Sequence, residues 1–152
     1  MILWRLTGRA IYWLFWLPGW VYARFTTRAR VLIRSGDQVL LVQGWIDDGT
    51  WGLPGGGLRR HETPAQGAAR EVAEETGVPV APDQCRLLAS EWRSYRGIRY
   101  FCHYLAAELP ALPKLQIHPH EIAAACWFPL DELPNIPCKP EVARALELLA
   151  KR

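Results

Sequence analysis

From residue 30 onward the apolar positions fall into short blocks separated by turn-forming residues. Val31-Leu32-Ile33 and Val39-Leu40-Leu41-Val42 flank Ser35-Gly36-Asp37-Gln38, which predicts a β-hairpin over 30–43. A polar loop follows over 44–50, with Trp45, Asp47 and Asp48, and Trp51-Gly52-Leu53-Pro54 leads out of it. From Thr63 the apolar period becomes helical. Ala65, Ala68, Ala69, Val72, Ala73 and Thr76 share a broad arc suited to packing on a sheet. Residues 79–83 read as a turn. Leu87 to Trp92 and Ile98 to Ala106 read as strands paired around Ser94-Tyr95-Arg96-Gly97. Residues 109–119, with three prolines, read as a loop, and Cys126-Trp127-Phe128 as a short strand. Pro140 opens a last amphipathic helix over 140–151, with Val142, Leu146 and Leu149 inward.

The first 30 residues follow another pattern. Ala10 to Leu17 is an unbroken apolar run stopped by Pro18-Gly19. Trp4, Trp13, Trp16 and Trp20 lie in or near it, with Arg5 and Arg9 before it and Arg24, Arg28 and Arg30 after. The run is too short to span a membrane, which takes about 20 apolar residues. Leu17-Pro18-Gly19 is a poor signal-cleavage site. Two readings stand. The segment is a helix packed on its own domain or on a second copy in a homodimer. Alternatively it makes a peripheral membrane contact through residues 2–22, because Trp, Tyr and flanking Arg suit the lipid boundary.

The chemistry concentrates in the central helix. Thr63 is its N-cap, Pro64 its first residue, Gln66 the partner in a capping box, and Gly77 its stop. Opposite the apolar arc, Glu71, Glu74 and Glu75 share one face. Gly67 falls on that same face, where a side chain would crowd it. Three like charges within about one turn destabilise a helix, and a hard divalent cation offsets that cost. Mg²⁺ or Mn²⁺ is therefore the expected cofactor. The preceding Leu53-Pro54-Gly55-Gly56-Gly57 lets backbone approach a metal or phosphate closely.

Composition narrows the partners. The chain has 152 residues, 22% charged and 50% hydrophobic, which describes one globular domain with a proper core. A net charge of +3 suits an anionic small molecule and is too mild to imply nucleic acid. Cys85, Cys102, Cys126 and Cys138 form no C-x-x-C pair and read as reduced thiols of a cytoplasmic protein, placed at the inner face of the membrane if the N-terminus touches lipid. His118-Pro119-His120 lacks further spaced ligands and reads as a loop.

Taken together, Gly56, Glu62, Arg70, Glu71, Val72, Glu74, Glu75, Gly77 and Val78 stand at G-x5-E-x7-R-E-apolar-x-E-E-x-G-apolar. Seven fixed residue types at a frequency of about one in fifteen co-occur by chance on the order of once in a million chains of this length. The stretch resembles the Nudix box of the Nudix hydrolases. The resemblance implies an α/β/α sandwich with a mixed central sheet over 28–152, leaving 1–27 as a separate aromatic-rich segment. It implies water attack on the phosphorus of a nucleoside diphosphate linked to another group, assisted by divalent metal. Glu71, Glu74 and Glu75, with the Gly56 carbonyl, match the metal ligands. Glu62 and Arg70 match the pair that ties loop to helix. Glu75, Glu62 and Glu121 are the candidates for the catalytic base, the last from its place in the loop before the 126–128 strand. For a nucleotide substrate, Arg93, Arg96 and Arg99 are candidates to bind phosphate, and Trp45 or Tyr95 to stack on a base. Two alternatives to this activity are a nucleotide-binding regulator that kept the fold and a membrane-associated hydrolase of a lipid-linked diphosphate.

Overall fold

The computed structural model describes residues 27–45, 47, 49–95, 97–118, 120 and 122–151, with only the backbone of Tyr95. The helix expected in the N-terminal segment, Arg96, Glu121 and the Tyr95 side chain lie outside the described residues. Five strands and two helices follow in order: β1 Thr27–Ser35, β2 Gln38–Gln43, α1 Pro64–Thr76, β3 Arg86–Tyr95, β4 Ile98–Glu108, β5 Ala124–Pro129 and α2 Pro140–Ala150. The sheet order is β3-β4-β1-β2-β5. β1 runs parallel to β4, and the other neighbours are antiparallel, so the sheet is mixed.

Strand alternation divides the core into two layers. Ala29, Val31 and Ile33 of β1 join Leu40 and, from α1, Ala68, Ala69 and Val72. Leu32, Val39 and Leu41 face the other way, onto Tyr100, Cys102, Tyr104 and, from α2, Val142 and Ala145. Each helix thus covers its own face, and the architecture is the expected α/β/α sandwich. Val31-Leu32-Ile33 is apolar at every position because β1 is covered on both sides.

The expected hairpins are present, with a two-residue turn at Gly36-Asp37 and strands β3 and β4 longer than the apolar blocks indicated. Polar residues extend these strands because backbone pairing continues past the buried positions. Ala73 is exposed, not part of the inward arc, since it lies at the rim of the α1 contact. Gly67 is buried: a Cβ there would lie 2.2 Å from Leu58 Cδ2 and 3.1 Å from Glu62 Oε2. Its smallness therefore seats Leu58 of the loop before the helix, and a side chain there would crowd the Glu62 carboxylate.

One feature of the sheet positions the site. β1 and β2 pair next to their turn, at Arg34↔Val39 and Ser35↔Gln38. Farther from the turn, both strands bond instead to the chain over 52–58. Val42 and Gly52 exchange N–H···O bonds of 2.9 and 2.8 Å on the β2 side. On the β1 side, Val31 N–H donates to Pro54 O (3.1 Å), Ala29 N–H to Gly56 O (3.0 Å) and Leu58 N–H to Thr27 O (2.8 Å). The glycine run is a wedge held by the sheet on both flanks.

Candidate active site

The helix that carries the glutamates begins where the sequence indicated. Thr63 Oγ1 accepts from Gln66 N–H (3.2 Å), and the Gln66 side chain accepts from Thr63 N–H (2.9 Å), a complete capping box. At the other end Gly77 adopts φ 68° and its N–H donates to Ala73 O (3.0 Å). These caps fix which turn of α1 lies beside the wedge.

Arg70 is the electrostatic centre of this face. Its Nε and Nη2 fork onto Glu62 at 2.8 and 2.9 Å. Its Nη1 donates to Glu71 Oε1 at 2.7 Å and to Glu74 Oε2 at 2.9 Å, and Nη2 reaches Gly57 O at 3.1 Å. The fork from Arg70 outweighs the opposing effect of burial and lowers the Glu62 carboxyl from its ordinary 4.5 to about 2. Glu62, Glu71 and Glu74 in turn hold the Arg70 guanidinium above its usual value. Glu62 also accepts from Arg59 N–H (2.8 Å), and Arg59 Nη2 donates to Glu74 Oε1 (2.9 Å). These contacts join the loop at Arg59–Glu62 to the helix at Arg70 and Glu74.

The third helix glutamate meets the wedge. Glu75 Oε2 accepts from Gly55 N–H at 3.0 Å. Gly56 lies against Glu71, where an added Cβ would come within 2.6–2.8 Å of the carboxylate. The Gly56 carbonyl accepts from Ala29 N–H and keeps a second lone pair for another donor or ion.

The fit of this face to a divalent cation can be judged from Arg70 Nη1. That one cationic atom draws Glu71 and Glu74 to a common point at short range. The donor set is hard oxygen throughout, as Mg²⁺ or Mn²⁺ requires. Among the described residues no three His, Cys, Asp or Glu side chains close around a common point. Here the guanidinium takes Glu71 and Glu74, and the Gly55 amide takes Glu75. The donors suit the ion chemically.

Among the described residues the substrate candidates are not gathered. Arg93 pairs across the sheet with Tyr100, and Arg99 with Ser94. Period-two alternation therefore sends them to opposite faces. Arg93 lies 3.5 Å from Glu91, and Arg99 packs over the Trp92 ring, 5.5 Å from its centroid. Trp45 is largely exposed in the loop after β2. Four other charged residues lie near the wedge, of which the sequence indicated Arg28 and Arg30 only as flanks of the N-terminal run and Arg59 and Glu141 not at all. Arg28 lies beside Gly57 and 5.1 Å over the Tyr100 ring, Arg30 reaches the wedge from β1, Arg59 reaches Glu74, and Glu141 approaches from α2. The available signal was the pair of arginines breaking an apolar strand at alternate positions.

Residues 24–151 match the NUDIX domain. The chain belongs to the Nudix hydrolase family. It is 32% identical over 127 residues to a protein named NAD-capped RNA hydrolase NudC from Stutzerimonas stutzeri, covering 82% of this chain and 44% of that protein. It is 31% identical over 126 residues to Nudix hydrolase 6 of Arabidopsis thaliana, covering 80% of this chain and 44% of that one. The chain thus spans under half the length of these curated relatives. Among solved structures, the MutT Nudix hydrolase from Burkholderia pseudomallei superposes with a TM-score of 0.69 at 25% identity, over 82% of this chain and 97% of that one. Among the described residues no helix is long and apolar enough to cross a membrane.

Proposed function

We propose that this Nudix protein is a metal-dependent pyrophosphohydrolase that cleaves a nucleoside diphosphate linked to another moiety. The observation that carries the reading is the convergence of Glu71 and Glu74 on one cationic atom, one turn from Glu75 and against the Gly55–Gly56 backbone. In this reading Glu71, Glu74, Glu75 and the Gly56 carbonyl hold Mg²⁺ or Mn²⁺. The bound ion supplies charge neutralisation for the diphosphate and lowers the pKa of a coordinated water. Glu62, forked by Arg70 and held well below its ordinary pKa, is a clamp and a poor base at neutral pH. That leaves Glu75 and Glu121 as candidates for the base.

The name of the S. stutzeri relative favours this substrate class, since an NAD cap contains a diphosphate joining two nucleosides. We assign the catalytic domain to the chain from β1 onward, with the expected boundary at 28 moved earlier because Thr27 opens β1 and the family match begins at residue 24, the preceding residues to a separate segment, and the cytoplasm as the compartment. The four cysteines are all free, which suits a reducing environment. The test is a phosphate-release screen over nucleotide sugars, dinucleoside polyphosphates, dinucleotides, nucleoside triphosphates and lipid-linked diphosphates, with Mg²⁺ or Mn²⁺ and again in EDTA. Turnover of a nucleotide that EDTA abolishes is the expected result. Turnover that survives EDTA contradicts the reading, and turnover of lipid-linked diphosphates alone replaces it with the membrane-associated one.

A further inference from the structure

We propose that Arg30 and Glu141 are a buried positioning pair that sets the glycine wedge against the helix glutamates, coupling the C-terminal helix to catalysis. The proposal rests on the hydrolase reading above and adds residues outside the box to it.

Arg30 sits in β1 among fully buried neighbours, where an apolar residue would pack without cost. Its Nη1 donates to Leu53 O at 3.2 Å and also to Gly55 O. From the other side, Glu141 Oε1 accepts from Leu53 N–H at 3.3 Å and lies 3.6 Å from Arg30 Nε. Burial lowers the tendency of Arg30 to hold its proton, but Glu141 and then Glu75 outweigh it, and the guanidinium stays charged. Leu53 is thus gripped at both its N–H and its C=O, and Gly55 at its C=O. The Gly55 N–H is the group that holds Glu75. A continuous chain of contacts runs from α2 through Glu141, Arg30, Leu53 and Gly55 to a candidate metal ligand.

The rest of the C-terminal segment supports the same strip. Trp51 N–H donates to Pro137 O (2.8 Å), and Lys139 N–H to Trp51 O (2.7 Å). Lys139 Nζ pairs with Asp47 at 2.6 Å. A Cβ on Gly52 would meet Glu141 Oε1 at 2.9 Å and Lys139 Cδ at 3.0 Å, so the glycine lets the brace close. Buried ion pairs are often replaceable by apolar residues without loss of stability. Retaining charge here serves the carbonyl and amide it holds. Placement of reacting groups is sensitive to small displacements.

The decisive variant is the double apolar replacement Arg30→Met/Glu141→Leu, measured by melting, by steady-state kinetics and by amide hydrogen exchange. A purely structural pair predicts restored Tm together with restored kcat. Positioning predicts a Tm near wild type, a kcat lower by about tenfold or more, and a KM within about twofold. It also predicts exchange at the Gly55 amide about tenfold faster. Gly55 is the informative amide because neither substitution touches its own bond to Glu75. Arg30→Lys, which keeps the charge and loses the fork, should show the same kcat loss and decides the matter if the double variant does not fold. Wild-type kcat and wild-type Gly55 exchange in either variant overturn the proposal. A wild-type protein inactive on every diphosphate would defeat the hydrolase reading alone, and the Gly55 exchange rate would still judge the brace.

Discussion

At the scale of single residues one cation, Arg70, gathers three carboxylates of the site. Arg70 bonds Glu62, Glu71 and Glu74 together, and all but Glu74 are mostly buried. Removing it leaves three negative groups facing one another. Arg70→Ala should therefore cost about 3 kcal/mol in chemical denaturation. A divalent cation should restore more stability to this variant than to wild type, because the ion replaces the missing counter-charge. Glu62 adds a pH dependence whose sign follows from its lowered pKa. The unfolded chain binds the Glu62 proton at the ordinary 4.5 and the folded chain only near 2. The pair's contribution is fully present above pH 4.5 and is lost as the pH falls toward about 2. Denaturation curves of wild type and Glu62→Gln should diverge most above that window and converge below it. Parallel curves throughout would show that Glu62 is not the group held by Arg70. The box pattern made Glu62, Arg70 and the helix glutamates legible in the sequence, since their spacing is fixed by one helix and the loop that caps it.

At the scale of elements, the glycine wedge explains why the box begins before the helix. Residues 52–58 take the hydrogen bonds that β1 and β2 would otherwise exchange. Gly55 has φ 129°, and a Cβ there would lie 2.2 Å from Ala29 O. That contact is with backbone, which cannot swing away. Gly55→Ala should cost about 3 kcal/mol or more, measured by denaturation. It should also reduce activity beyond the loss of folded protein, because Gly55 N–H positions Glu75. A fully stable and active Gly55→Ala protein would show that the wedge does not sit as described. The sequence indicated close backbone approach by Leu53 to Gly57 to a metal or phosphate, whereas the close approach at Gly55 is to the β1 backbone. Nothing local shows that this run will take strand positions between β1 and β2. Hairpins and helix caps are local and were legible. The Arg30–Glu141 contact spans the length of the domain and was not.

At the scale of the whole molecule, the sandwich brings two distant stretches onto one strip. α1 covers one face of the sheet and α2 the other. The wedge lies between them and is held from both sides, by Glu75 and by the Arg30–Glu141 pair. The apolar periods showed the individual strands and helices, and the resemblance of the box to the Nudix hydrolases implied their layer order. The substrate residues were not legible in this way, because Arg93 and Arg99 belong to one hairpin and yet to opposite faces. The central claim is that the glutamates of α1 hold the ion on which hydrolysis depends. The most direct test is kcat of Glu75→Gln at saturating Mg²⁺, on whichever nucleotide the wild type turns over. The amide can still accept from Gly55 N–H, so the fold should be kept while the charge on the ion is lost. The account predicts a fall in kcat of about a hundredfold with Tm little changed. A Glu75→Gln protein with wild-type kcat would contradict it.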